Sequence, residues 1–373
     1  MRAEKLAEIM GADFYAGVPD SQLKALCQYL IRTYGTDPRH HIIAANEGNC
    51  TAIAAGYHLA TGKIPVVYMQ NSGEGNAINP IASLLHEEVY GIPMILVIGW
   101  RGEPGIYDEP QHIYQGKVTE SLLDIMGIPS YPISKETTED ELRGTMAEFK
   151  GLLDKGKIVA FIVGKGALRD DGGIGFKNDY EMSREEIIRC VTQVSDGDPV
   201  ITTTGKASRE LFEIRENGGQ SHQYDFLTVG SMGHSSSIAL GIALQKPDRK
   251  VWCIDGDGAA LMHMGAMAVI AQAAPGNLVH LVVNNGAHES VGGMPTAAGR
   301  MDLFKVAQGC GYPCVYCAKD RNGLKDILAE VKKKEGLCFI EVKAAIGARE
   351  DLGRPTKTPM ENKKLFMGYL GGI

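Results

Sequence analysis

No apolar run in this chain is long enough to cross a bilayer. The longest strongly apolar stretch, Ile92 to Trp100, falls far short of the ~20 residues that a membrane helix needs. A cleavable leader is not expected either, because Met1-Arg2-Ala3-Glu4-Lys5 opens a charged amphipathic helix. Excess positive charge is also missing. A formal net charge of -7 argues against nucleic acid or an anionic membrane as the main partner, so any anionic substrate must be bound by local groups. Low-complexity tracts and sequence repeats are absent. Eight cysteines (Cys27, Cys50, Cys190, Cys253, Cys310, Cys314, Cys317 and Cys338) fall mostly in expected helices and strands, which suits reduced thiols rather than a secreted disulfide framework. These absences leave a cytoplasmic globular protein.

Two motifs mimic other chemistries. Cys310-x3-Cys314-x2-Cys317 has the spacing of an iron-sulfur ligand set, but Pro313 to Ala318 alternates like a half-buried strand, which sends neighbouring side chains to opposite faces. Gly151-x4-Gly156-Lys157 has most of a phosphate-binding loop. It lacks the hydroxyl residue, having Ile158 there, and it precedes a strand where the loop requires one to come first.

What is present is a large α/β pattern. With 373 residues, 44% of them hydrophobic and 22% charged, the chain can bury two or three sizeable cores. Short apolar runs at Phe14–Val18, Ile42–Ala44, Pro65–Met69, Pro93–Ile98, Ser130–Ile133 and Ile158–Val163 alternate with helical periodicity. Such runs are the mark of parallel strands covered on both faces. Residues 165–181 then become rich in Gly, Asp and Lys, and the alternation resumes from Ser183, with strands near Val200, Leu227, Val251, Leu278, Cys314 and Phe339. The expected fold is α/β, two doubly wound parallel-sheet domains: residues 1–168, a linker over 169–182, and residues 183–373.

The second domain carries the most informative motif. Gly256-Asp257-Gly258 is followed, after twenty-five residues, by Asn284-Asn285, with a helix expected over Ala259–Ala274 and a strand over Leu278–Val283 between them. Gly-Asp-Gly alone is common turn chemistry. In this order, however, Asp257 and Asn285 lie just past the carboxyl ends of adjacent parallel strands, where open α/β sheets bind ligands and a helix N-terminus can take a diphosphate. A carboxylate, an amide oxygen and a loop carbonyl are hard ligands that suit Mg²⁺.

Taken together, the halves resemble the thiamine diphosphate-dependent decarboxylases over essentially the whole chain. The resemblance is carried by that motif and by Gly17-Val18-Pro19-Asp20-Ser21, Asn46-Glu47-Gly48-Asn49-Cys50, Asp108-Glu109-Pro110-Gln111-His112 and His288-Glu289-Ser290-Val291-Gly292-Gly293. Gly353-Arg354-Pro355 and Asn362-Lys363 add to it. It implies a pyrimidine-binding first domain and a diphosphate-binding second domain, with thiamine diphosphate and Mg²⁺ as cofactors. It further implies that Glu47 bonds N1′ of the aminopyrimidine and drives removal of the C2 proton. Met232 would wedge the bent cofactor, the Gly230 carbonyl would accept from its 4′-amino group, and Thr204, Gly205, Gly256, Gly258 and Ala259 would meet the diphosphate. Asp257, Asn285 and the Ala287 carbonyl would hold the metal.

The implied reaction is decarboxylation of a 2-oxo acid, 3-phosphonopyruvate to phosphonoacetaldehyde, with sulfopyruvate or another 2-oxo acid as the alternative. A polyanionic substrate needs cations and hydroxyls, and the candidates are Ser21, Lys24, Arg101, His112, His288 and Arg354. His112 and His288 are candidates for catalysis as well. The resemblance also implies at least a homodimer, with each site shared between chains. The other classes are a cysteine-ligated radical enzyme and a non-catalytic subunit, and Glu47, Asp257 and Asn285 standing together argue against a decayed site.

Overall fold

A computed structural model of the chain describes residues 1–371, with every side chain among them except that of Ser290. Gly372 and Ile373, the end of the second expected domain, lie outside the described residues. The chain divides into two compact units: Met1–Gly175 with Ser290–Met294, and Phe176–Glu289 with Pro295–Ile373. No helix is long and apolar enough to cross a membrane among the described residues.

The first unit is built on a six-stranded sheet of β1 (Tyr15–Gly17), β2 (His41–Ile43), β3 (Val66–Gln70), β4 (Ile95–Gly99), β5 (Ser130–Ile133) and β6 (Val159–Val163), in the order β2-β1-β3-β4-β6-β5. All five pairings are parallel. The second unit repeats this plan with β7 (Val200–Thr202), β8 (Asp225–Leu227), β9 (Val251–Gly256), β10 (Leu278–Asn284), β11 (Cys314–Ala318) and β12 (Cys338–Lys343). Its order, β8-β7-β9-β10-β12-β11, is the same permutation, again parallel throughout. The two halves share an architecture that no sequence repeat betrays.

Alternation along β9 shows how the second sheet is sealed. Trp252 and Ile254 pack into a core with Ile187, Val191, Leu211 and Leu328, whereas Val251 and Cys253 pack on the other face with Ala239, Ile270 and Phe366. Side chains of a strand leave by opposite faces, so a strand covered on both sides must be apolar throughout. That requirement makes these strands readable from sequence.

Two local expectations are corrected. The helix expected over Ala259–Ala274 is two, Asp257–Met262 and Gly265–Ala273: His263 leaves the helical region at φ -130, ψ 49, and Gly265, a poor helix former, opens the second. Nor is Gly256-Asp257-Gly258 a separate turn, since Gly256 ends β9 with extended φ of -106 and Asp257 is already the first helical residue. All eight cysteines are free thiols. Cys310 ends a helix while Cys314 and Cys317, three apart on β11, point to opposite faces, and these three form no metal-binding group among the described residues. In the other mimic, Gly151 lies inside the helix Glu139–Leu153 and Lys157 pairs with Glu87.

Candidate active site

In the first unit, the candidate groups gather at the carboxyl ends of β1 to β4. Asn46 caps the helix Glu47–Thr61 by accepting from the Gly48 N–H, which places Glu47 at the first helical position. Glu47 is only 4% exposed, and Oε2 accepts from Asn76 Nδ2 at 2.7 Å. Burial raises its pKa, against the lowering effect of the Asn76 bond. Gly73 lies against this carboxylate so closely that a Cβ there would fall 2.5–2.7 Å from its side-chain atoms. The glycine is required by the space. Gly73 and Asn76 were missed in the sequence, although their place just after β3 was a signal that could have found them.

A polar cluster lies at the ends of β1 and β4. Arg101 grips Asp108 with two bonds of 2.7 and 2.5 Å and donates from Nη1 to Ser21 Oγ at 3.0 Å. Asn71 fastens the Arg101 backbone, donating to its carbonyl at 2.8 Å and accepting from its N–H at 3.2 Å. Asp20, beside them, is pushed up to about 6 by burial, which outweighs the Arg101 charge. His112 stands in the first turn of the helix Pro110–Ile125; burial, helped by Arg101, depresses it to about 4, so its imidazole is neutral at pH 7. Ser21, Arg101 and His112 are therefore brought together, with much of the Arg101 fork already committed to Asp108. Lys24 begins the next helix and is exposed.

Glu74 was also missed. It is 2% exposed, Oε2 accepts from Gln115 at 3.3 Å, Oε1 has no partner among the described residues, and burial pushes the carboxyl up to about 8. The folded state thus keeps a proton that the unfolded chain has released above about 4.5, so stability falls as pH rises from there to about 8. We expect Glu74→Gln to remove that loss. In urea unfolding its advantage over wild type should grow by roughly 2 kcal/mol between pH 6 and pH 8. An equal difference at both pH values would refute the assignment.

In the second unit, the rim is formed by loops after β7, β8, β9 and β10. Thr204 Oγ1 accepts from the Gly230 N–H at 2.9 Å, tying the first two loops together next to Gly205, which is exposed at the N-cap of the helix Lys206–Asn217. Gly230 has φ of 65, the left-handed region that glycine tolerates, and Ser231 follows at φ 44. Met232, next in line, is half-buried. Ser208, two residues past Lys206, faces inward and bonds Thr202 and the Thr203 carbonyl.

Asp257 is 4% exposed, accepts from Thr296 Oγ1 at 2.7 Å, and is pushed up to about 6 by burial. No cationic side chain pairs with it among the described residues. Asn285, 8% exposed, accepts through Oδ1 from the Ala287 N–H at 3.0 Å and donates through Nδ2 to Glu289 at 3.1 Å. His288 lies over Gly258, its Cε1 3.3 Å from where a Cβ would be, and desolvation depresses its pKa to about 4. Arg354 is exposed on a loop whose Gly353 N–H goes to Glu213 and whose Leu352 and Gly353 carbonyls accept from Arg209. Thr296 was invisible in the sequence because it meets Asp257 across 39 residues.

Comparison with known proteins identifies the family. Residues 3–126 match the thiamine pyrophosphate enzyme, N-terminal TPP binding domain, and residues 203–342 match the thiamine pyrophosphate enzyme, C-terminal TPP binding domain. The chain belongs to the thiamine pyrophosphate enzymes. It is 34% identical to the phosphonopyruvate decarboxylase of Streptomyces viridochromogenes over 97% of this chain and 92% of that protein. It is also 34% identical to the phosphonopyruvate decarboxylase of Streptomyces hygroscopicus (96% and 91%) and 29% identical to the sulfopyruvate decarboxylase of Methanosarcina acetivorans (91% and 90%). Its cofactor is thiamine diphosphate with Mg²⁺. The residues present fit that pair: a buried carboxylate with no cation beside it and an amide oxygen on the neighbouring strand end make an all-oxygen donor set for a hard divalent ion.

Proposed function

We propose that the enzyme decarboxylates 3-phosphonopyruvate to phosphonoacetaldehyde and CO₂. The observation that carries this reading is the 34% identity to two phosphonopyruvate decarboxylases across nearly the full length of each. The chemistry of the Ser21, Arg101 and His112 cluster supports it, because a phosphonate dianion gains from guanidinium, hydroxyl and imidazole donors together.

When bound, thiamine diphosphate would supply the nucleophilic carbon and the electron sink that decarboxylation of a 2-oxo acid needs. The protein supplies position, charge and proton control. Glu47, buried and raised in pKa, exchanges a proton with the aminopyrimidine nitrogen. Met232 would prop the ring, and the Gly230 carbonyl would accept from its amino group. Thr204, Gly205, Gly256, Gly258 and Ala259 meet the diphosphate, the last three at the start of a helix whose N–H groups favour an anion. Asp257, Asn285 and the Ala287 carbonyl hold Mg²⁺. His112 and His288 are neutral donors at pH 7 that gain basicity as a dianion approaches, which suits them to move protons at the reacting carbons. Lys24 and Arg354 complete the cations for the head group. The active form is at least a homodimer with sites shared between chains, working in the cytoplasm.

Three substrates decide the reading. With thiamine diphosphate and Mg²⁺ supplied, CO₂ release should give phosphonopyruvate the highest kcat/KM, ahead of sulfopyruvate and pyruvate. Sulfopyruvate ranking first would assign the sulfonate substrate instead.

A further inference from the structure

Asparagine ligates a cation only through Oδ1, yet its amide can turn over and present Nδ2 with little change of shape. Something must therefore fix the orientation of Asn285. Its Nδ2 donates to Glu289 Oε2 at 3.1 Å, which directs Oδ1 to the opposite side. Oδ1 accepts a single bond, from the Ala287 N–H, and an amide oxygen has a second lone pair to offer.

Glu289 is itself held from behind. Arg184 donates to it from Nη1 at 2.8 Å and from Nη2 at 3.3 Å, and Lys206 reaches Oε1 at 3.2 Å. Arg184 in turn is gripped by both oxygens of Glu210, at 2.7 Å each. Arg184, Glu210 and Glu289 are largely buried, and two cations balance two carboxylates within the cluster. Arg184 opens one helix while Lys206 and Glu210 lie on the next, so the loop after β10 is anchored to two rigid elements. Both oxygens of Glu289 accept from cationic donors, an arrangement that suits holding a neighbour rather than shuttling protons.

We infer that Glu289, clamped by Arg184 and Lys206, is a positioning residue that orients the Asn285 amide for Mg²⁺. This rests on the reading of Asp257, Asn285 and Ala287 as the groups that hold the metal. Partners behind a metal ligand are worth roughly 10- to 100-fold in affinity when removed.

The test is calorimetry of thiamine diphosphate binding across a Mg²⁺ titration, a readout independent of turnover. Glu289→Ala should raise the Mg²⁺ midpoint by roughly 10- to 100-fold. Glu289→Gln, which keeps an acceptor oxygen for Nδ2, should stay close to wild type. Glu289→Asp, which keeps the charge but withdraws the acceptor by one methylene, should fall between, and it carries the test if the alanine variant does not fold. Asp257→Ala is the control and should lose Mg²⁺-dependent binding. If Asp257→Ala fails while the folded Ala or Asp variant at 289 keeps the wild-type midpoint and only lowers Tm, the inference is overturned. If Asp257→Ala binds normally, the metal reading itself is wrong.

Discussion

Glu47→Gln is expected to bind thiamine diphosphate normally and to lose roughly 10²- to 10⁴-fold in rate, the usual worth of a positioned proton relay. The amide matches the carboxyl in size, so the tight seat beside Gly73 and Asn76 is preserved. It cannot give or take the proton. Because burial already raises the Glu47 pKa, the wild-type carboxyl stays protonated to a higher pH than an exposed glutamate, and the amide removes that reserve completely. Exchange of the cofactor C2 proton, followed by NMR with quenching, reads the step directly. Exchange at the wild-type rate in the variant would remove Glu47 from the relay.

The second large effect is a gain of activity from two dead proteins. Glu47 belongs to the first unit and Asp257 to the second, and the proposed dimer builds each site from the first unit of one chain and the second unit of the other. When Glu47→Gln and Asp257→Ala are dissociated together and reassembled in equal amounts, about half the dimers are mixed. Each mixed dimer then has one intact site and one doubly damaged site, for about a quarter of wild-type activity. A site built within one chain keeps a lesion in every copy. Activity that stays at the level of the separate variants, with subunit exchange demonstrated by labelled chains, would exclude the shared site.

The parts of the molecule that were legible share a physical cause. Strands sealed on both faces have to be apolar, so runs such as Val251–Gly256 and Leu278–Asn284 stand out, and they end directly before Asp257 and Asn285, whereas the role expected of Glu47 came from the family resemblance. Partners were not legible. Asn76 meets Glu47 across 29 residues and Arg184 meets Glu289 across 105, and neither separation follows from a periodicity. Even the near pair Arg101 and Asp108 depended on a loop conformation, and it alters the expectation for Arg101 by tying up much of its guanidinium. The break at His263 was hidden because the apolar period continues across it.

The shared strand order has a consequence for how the chain divides chemical labour. Residues after the first, second, third and fourth strands of one sheet have counterparts at the same rung of the other: Ser21 with Thr204, Glu47 with Gly230, Asn71 with Asp257, and Arg101 with Asn285. The framework at each rung is the same, and only the polarity of its tip has been rewritten. On the proposed reading, one rim would offer a carboxyl to trade a proton with an uncharged ring, whereas the other would offer oxygen donors to a metal and backbone amides to phosphate. On that reading a single architectural grammar, spoken twice by one polypeptide, would serve two unlike ends of a ligand, and the vocabulary that separates the two rims occupies a few residues at each strand terminus.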